Sequence, residues 1–135
     1  MKGTYILVLR LSKNLIIKIG ALGKVSFKKG FYLYVGSAMG ILNSSSLLNR
    51  IRRHLSTSKK IHWHIDYLLN SKYAIITYIY LIPSSLRLEC ILAREIDSIS
   101  NGNIQNFGSS DCKCESHLFY FESFKGFNSN FQQVK

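Results

Sequence analysis

Residues 31–38 read FYLYVGSA, and this stretch decides the fold. Tyr32 and Tyr34 alternate with Phe31, Leu33 and Val35, which is the period of a strand. The run breaks at Gly36. Two tyrosines on one side of a strand suit core packing, and they also suit a phenol aimed at a phosphodiester. Upstream, TYILVLRL (4–11) and LIIKIG (15–20) are rich in β-branched and aromatic residues. The turn residues Ser12–Asn14 between them predict a hairpin. GKVSFKKG (23–30) holds either a short strand or a loop. Gly36 is read as permitting a close turn out of its strand.

Downstream the period changes. The serines of MGILNSSS (39–46) suit a helix cap. In LLNRIRRHL (47–55) Leu47, Leu48, Ile51 and Leu55 share a helical face, with Arg50 and His54 at its border and Arg53 one step around. IHWHIDYLL (61–69) starts a second helix near Trp63, which is read as a core anchor. YAIITYIYLI (73–82) is a strand closed by Pro83. LRLECILAREIDSI (86–99) is a third helix, with Leu88, Ile91, Leu92, Ile96 and Ile99 facing inward and Glu89 at the margin. Asn101 and Gly102 stop it. HLFYFES (117–123) is a final strand, and the tail from Phe124 reads as irregular and loosely held. The order predicts an α+β domain over residues 1–135: a small, mainly antiparallel sheet flanked by helices.

Composition narrows the function classes. The chain has 135 residues, 47% of them hydrophobic, which argues against disorder and suits one core. Eighteen Lys and Arg against seven Asp and Glu give a net charge of +11, a field that attracts polyanions. Nucleic acid, an acidic membrane surface and an acidic protein are the partners that this charge admits. The first apolar run is cut by Arg10 and Lys13, and no run reaches a membrane span, so the expectation is a cytoplasmic protein with no membrane partner. Three cysteines, Cys90, Cys112 and Cys114, make no even disulfide framework.

GTY (3–5), YVG (34–36), a helix carrying Arg50 and His54, and a later helix carrying Glu89 resemble, in that order, the GIY-YIG nuclease superfamily. Thr4 and Val35 stand where that family has Ile; both keep a β-branched residue in a strand. FYLYVGSAMG, RIRRHL, HWHIDYLL, EC and FGSSDCKCESHLFYF resemble more closely one archaeal and bacterial branch of it, DUF123, whose members occur alone or joined to an endonuclease III-like DNA glycosylase. The resemblance implies a GIY-YIG-like fold. It also implies metal-dependent cleavage of DNA phosphodiesters by Tyr5, Tyr34, Arg50 and His54, with one Mg²⁺ or Mn²⁺ on Glu89. The company of the glycosylase implies DNA repair and a repair-enzyme partner.

The chemistry fits those residue types. Hydrolysis needs an activated water, charge to stabilise the transition state, and help for the leaving oxygen. Mg²⁺ prefers oxygen ligands and retained waters, and Arg50 can fork two hydrogen bonds to phosphate. Tyr5 is the candidate base if cationic neighbours lower its pKa from about 10, with His54 or Tyr34 relaying the proton. Arg53, Lys59, Lys60, His62 and His64 are candidate substrate contacts beside Trp63. Each has a plainer reading: packed tyrosines, a solvated basic helix face, a Glu89–Arg87 pair. Two rival functions stay open: a DNA-binding module that positions a partner repair enzyme, and a protein-interaction scaffold. CKCESH (112–117) has ligand chemistry, with Cys90 a fourth donor, but the C-x-C spacing argues against zinc. A thiol group or a disulfide are the alternatives, and Asp111, beside Cys112, reaches the cleft if this loop folds over it. The expectation is that Tyr5, Tyr34, Arg50 and Glu89 surround one open concavity.

Overall fold

The computed structural model describes residues 1–40, 46–57, 59–109 and 112–127. Asp111 and the serines at 44 and 45 lie outside them. The elements are β1 (Gly3–Leu11), β2 (Leu15–Lys18), a 3-10 turn (Gly20–Leu22), β3 (Lys24–Phe27), β4 (Gly30–Ala38), α1 (Leu47–Leu55), α2 (His64–Leu69), β5 (Ala74–Pro83), α3 (Glu89–Ile99), β6 (Gly102–Asn103) and β7 (Leu118–Phe121). The five-stranded sheet runs β5-β1-β4-β7-β6, and each pairing in it is antiparallel. This is the α+β architecture expected, with a mainly antiparallel sheet and three helices.

The predicted hairpin of the first two strands does not form. β1 pairs instead with β4 and β5, while β2 pairs with β3 in a separate two-stranded sheet. The reason is burial. β1 reads buried at eight of nine positions, so it needs cover on both faces and a strand on each side; β2 is half-exposed and alternating. Ser12–Asn14 separates β1 from β2 without choosing the partner of either.

Alternation along β1 and β4 divides the core in two. Tyr5, Leu7, Leu9, Tyr32 and Tyr34 face Leu47 and Ile51 of α1 and Ile65 and Leu68 of α2. Ile6, Val8, Leu33 and Val35 face Ala93 and Ile96 of α3, joined by Phe119 and Phe121. Phe124 and Phe127 pack onto this second cluster, with Phe127 also against Tyr80. Two helical faces differ from expectation. In α1 the buried stripe is Leu47, Ile51 and His54, while Leu48 and Leu55 are exposed. At 100° per residue His54 falls between Arg50 and Leu47, and Leu48 and Leu55 fall 80–100° away. In α3 Ile91 and Ile99 are exposed, and the smaller Ala93 takes the place against the sheet.

Candidate active site

The end of β4 is where the candidate residues gather. Tyr5 stands opposite Gly36 in the β1–β4 register. A Cβ on Gly36 would overlap the Tyr5 Cζ and Oη atoms, so the glycine is there to let the phenol lie across the neighbouring strand. Gly36 is inside β4 and its φ is not positive, so room for this ring, and not a turn, accounts for it.

Across the ring lies α1. Ser46 caps that helix, its Oγ accepting from Asn49 N at 3.4 Å. The helix presents His54 to the sheet: Tyr5 Oη and His54 Nε2 are 2.7 Å apart, and each residue is 2% exposed. Tyr34 completes the cluster, with ring centroids 6.4 Å from Tyr5 and 6.2 Å from His54. Burial pushes the Tyr5 phenol well above its ordinary pKa, against the pull of the nearby Arg50 guanidinium. Burial raises Tyr34 likewise. Burial also pushes the His54 imidazole down to about 4, helped by the positive charges of Arg53, Lys59 and Arg50. Tyr5 is therefore protonated and His54 neutral at pH 7, whereas a tyrosine base needs the opposite shift.

Ser37 joins the two sides of the sheet. Its carbonyl oxygen accepts from Arg50 Nη1 at 3.2 Å, and its hydroxyl donates to Glu89 Oε1 at 3.2 Å. Arg50 comes from α1 on one face, and Glu89 opens α3 on the other. The Glu89 side chain is 25% exposed, and its other oxygen lies 3.4 Å from His117 Nδ1. Burial opposes its charge, yet His117, the Ser37 hydroxyl and Arg87 hold its carboxyl below the ordinary range. Its charge reaches both tyrosines and raises them further. A carboxylate with open lone pairs, partial exposure and a hydroxyl neighbour suits Mg²⁺ or Mn²⁺, which bind through one or two carboxylates and keep several waters.

The candidate substrate contacts divide. Arg53 gives Nη1 and Nη2 to the two Asp66 oxygens at 3.0 and 2.8 Å and donates to Lys60 O at 2.7 Å. Lys59 Nζ donates to the carbonyls of His54 and Ser56 at 3.0 and 2.6 Å, closing the end of α1. His64 Nδ1 accepts from Gly108 N at 2.9 Å, and burial lowers its pKa. Lys60 and His62 are exposed. Trp63 is half-buried, with the Arg50 and Arg53 guanidinium groups 4.5 and 4.3 Å from its ring centroid.

Two hollows stand out among the described residues. One of about 360 Å³ is lined by Cys90, Arg94, Lys113 and Cys114, and one of about 460 Å³ by His54, Lys59 and Lys72. Neither is lined by Tyr5, Tyr34, Arg50 or Glu89. Residues 41–45, which follow β4 directly, and 110–111 lie outside the described residues.

Sequence reasoning missed Ser37 and Asp66. Both stand within stretches singled out above, and with only seven acids in the chain an aspartate beside two histidines was a signal available to it. Among the described residues no helix is long and apolar enough to cross a membrane. No curated protein and no solved structure matches the chain. A family model does, over residues 4–135, and by that match the chain belongs to the family described as domain of unknown function DUF123.

Proposed function

We propose that this chain is a metal-dependent endonuclease that hydrolyses DNA phosphodiester bonds, with a GIY-YIG-type site at the end of β4. One observation carries the reading: the buried Tyr5–His54 pair at 2.7 Å stands beside Ser37, which ties Arg50 to Glu89. A divalent ion on Glu89 would supply positive charge to the phosphate and to the departing oxygen. Arg50, already aimed at this strand end, binds a non-bridging phosphate oxygen. Tyr5 works as a relay and not as a free base. Its Oη receives a proton from the attacking water as its own proton passes to His54 Nε2. A bound phosphate brings negative charge towards His54 and raises its affinity for that proton. Tyr34 walls the pair off from bulk water. The repair setting rests on the company that the resembling family keeps.

A second reading, a DNA-binding module that positions a repair enzyme, is favoured by one fact: Tyr5 and His54 are each only 2% exposed. Nicking of supercoiled plasmid in Mg²⁺ or Mn²⁺ decides between them. Glu89→Ala, Arg50→Ala and Tyr5→Phe are each expected to slow cutting at least about a hundredfold. Cutting that survives Glu89→Ala defeats the metal assignment. Binding without cutting on duplex, flap, junction and abasic substrates favours the module.

A further inference from the structure

All three cysteines of the chain converge on one histidine. Cys90 is the second residue of α3; Cys112, Cys114 and His117 come from the segment before β7. Their ligand atoms lie within 4.8 Å of one another. Cys112 Sγ is 3.4 Å from His117 Nε2, and Cys114 Sγ is 2.6 Å from Cys90 Sγ. Zinc at about 2.3 Å from sulfur and 2.0 Å from nitrogen spaces tetrahedral ligand atoms roughly 3.5–3.8 Å apart. The cluster is therefore ion-sized, and a bound ion would part Cys90 from Cys114 by about 1 Å. The C-x-C spacing is unlike a zinc finger because the fold brings the fourth ligand from a helix start far upstream.

A second observation points the same way. His117 is 1% exposed, and its Nδ1 has no hydrogen-bond partner among the described residues, yet it lies 3.4 Å from Glu89 Oε2. A histidine that gives Nε2 to a metal characteristically directs Nδ1–H at a carboxylate. The hollow of about 360 Å³ lined by Cys90 and Cys114 leaves a way in for an ion.

We propose that Cys90, Cys112, Cys114 and His117 bind one zinc-class ion in a closed Cys₃His site, and that His117 thereby orients Glu89. Four protein ligands leave no open position, so the role is structural. The site clamps residues 112–117 to the start of α3. Beside the proposed ion, Phe107 anchors its neighbours in the core against Phe27 and Tyr34, and backbone bonds from Asn106 N to Glu115 O at 2.7 Å and from His117 N to Phe107 O at 2.8 Å tie the two stretches together. The proposal does not depend on the nuclease reading, and its test reads metal and not cleavage.

The chain purified without chelator is expected to carry one zinc, with its thiols silent to Ellman's reagent until a chelator is added. Replacing zinc with Co²⁺ should give tetrahedral d–d bands and thiolate charge-transfer bands; with three cysteines in the chain, those can come only from this group. His117→Ala and Cys112→Ser should change the cobalt spectrum. Glu89→Gln should keep it and weaken affinity about tenfold. A reduced chain with no bound metal and no cobalt–thiolate band overturns the site, as does a Cys90–Cys114 disulfide in its place. An unchanged spectrum in His117→Ala overturns the ligand set. Undiminished affinity in Glu89→Gln removes the coupling to the active site.

Discussion

At Gly36 one hydrogen atom decides whether Tyr5 can lie where it does. Gly36→Ala puts a methyl into the Tyr5 ring, and overpacking of this kind costs about 1–3 kcal/mol. Urea unfolding should show that loss, and it should shrink when Gly36→Ala is combined with Tyr5→Leu, because the two sites share one contact. Additive losses would rule the clash out. His54 gives a second test at this scale. Its pKa is lowered to about 4 in the fold, against about 6.5 in the unfolded chain. Between those values the unfolded chain takes up a proton that the folded chain refuses. This contribution is therefore complete above pH 6.5 and is lost as pH falls towards 4. Going from pH 7 to 4.5 should cost roughly 2 kcal/mol more in the wild type than in His54→Gln. Parallel pH curves for the two proteins would mean that the imidazole is not held neutral by burial.

The joint between α1 and α2 rests on one carboxylate. Fully buried, Asp66 accepts the backbone N–H groups of His62 and Trp63 at 2.9 and 2.8 Å and both arms of Arg53. Burial opposes its charge, but Arg53 and those two amides hold its carboxyl below the ordinary range. Asp66→Asn should cost about 3 kcal/mol or more, since it leaves Arg53 facing an amide and weakens the closure of α2. Arg53→Met should cost less, because its side chain is 22% exposed and the backbone donors stay paired. Equal losses, measured by thermal unfolding, would show that the pair and not the closure of α2 dominates. Helices were legible where residue size and period agreed: Leu47, Ile51, Ile65, Leu68 and Ile96 all face the core. His54 was misread because a polar residue carries no apolar signal, although its angle on the helix is central. Ile91 and Ile99 were misread because apolar character alone does not say which of two flanking arcs the sheet will cover.

For the whole molecule, the sheet is built from pairings far apart in the chain. Gly3 meets Ala38 on one side and Pro83 on the other, so no local pattern reveals that β1 is central. The same distance hid Ser37 as the link between Arg50 and Glu89, and hid Cys90 from Cys114, although each of those residue types was in plain view. Charge, in contrast, is a sum and needs no fold to be read. Of the seven acids, Asp66 is paired with Arg53 and Glu89 sits among Ser37, His117 and Arg87, while Glu95, Asp97, Glu115 and Glu122 are exposed; against eighteen Lys and Arg they still leave a net charge of +11. Duplex binding should then be driven by counterion release. Neutralising about four phosphates gives a slope near −3.6 in log K against log salt, or about a hundredfold weaker binding at 200 mM than at 50 mM. Glu89→Ala removes a negative charge from the site, so in the absence of divalent metal it should bind DNA at least as tightly as the wild type while losing the ability to cut it. Fluorescence anisotropy across a salt series checks both points. Affinity that does not change with salt would favour the protein-interaction scaffold, and a Glu89→Ala chain that loses affinity would mean that the carboxylate holds the fold together instead of serving the phosphate.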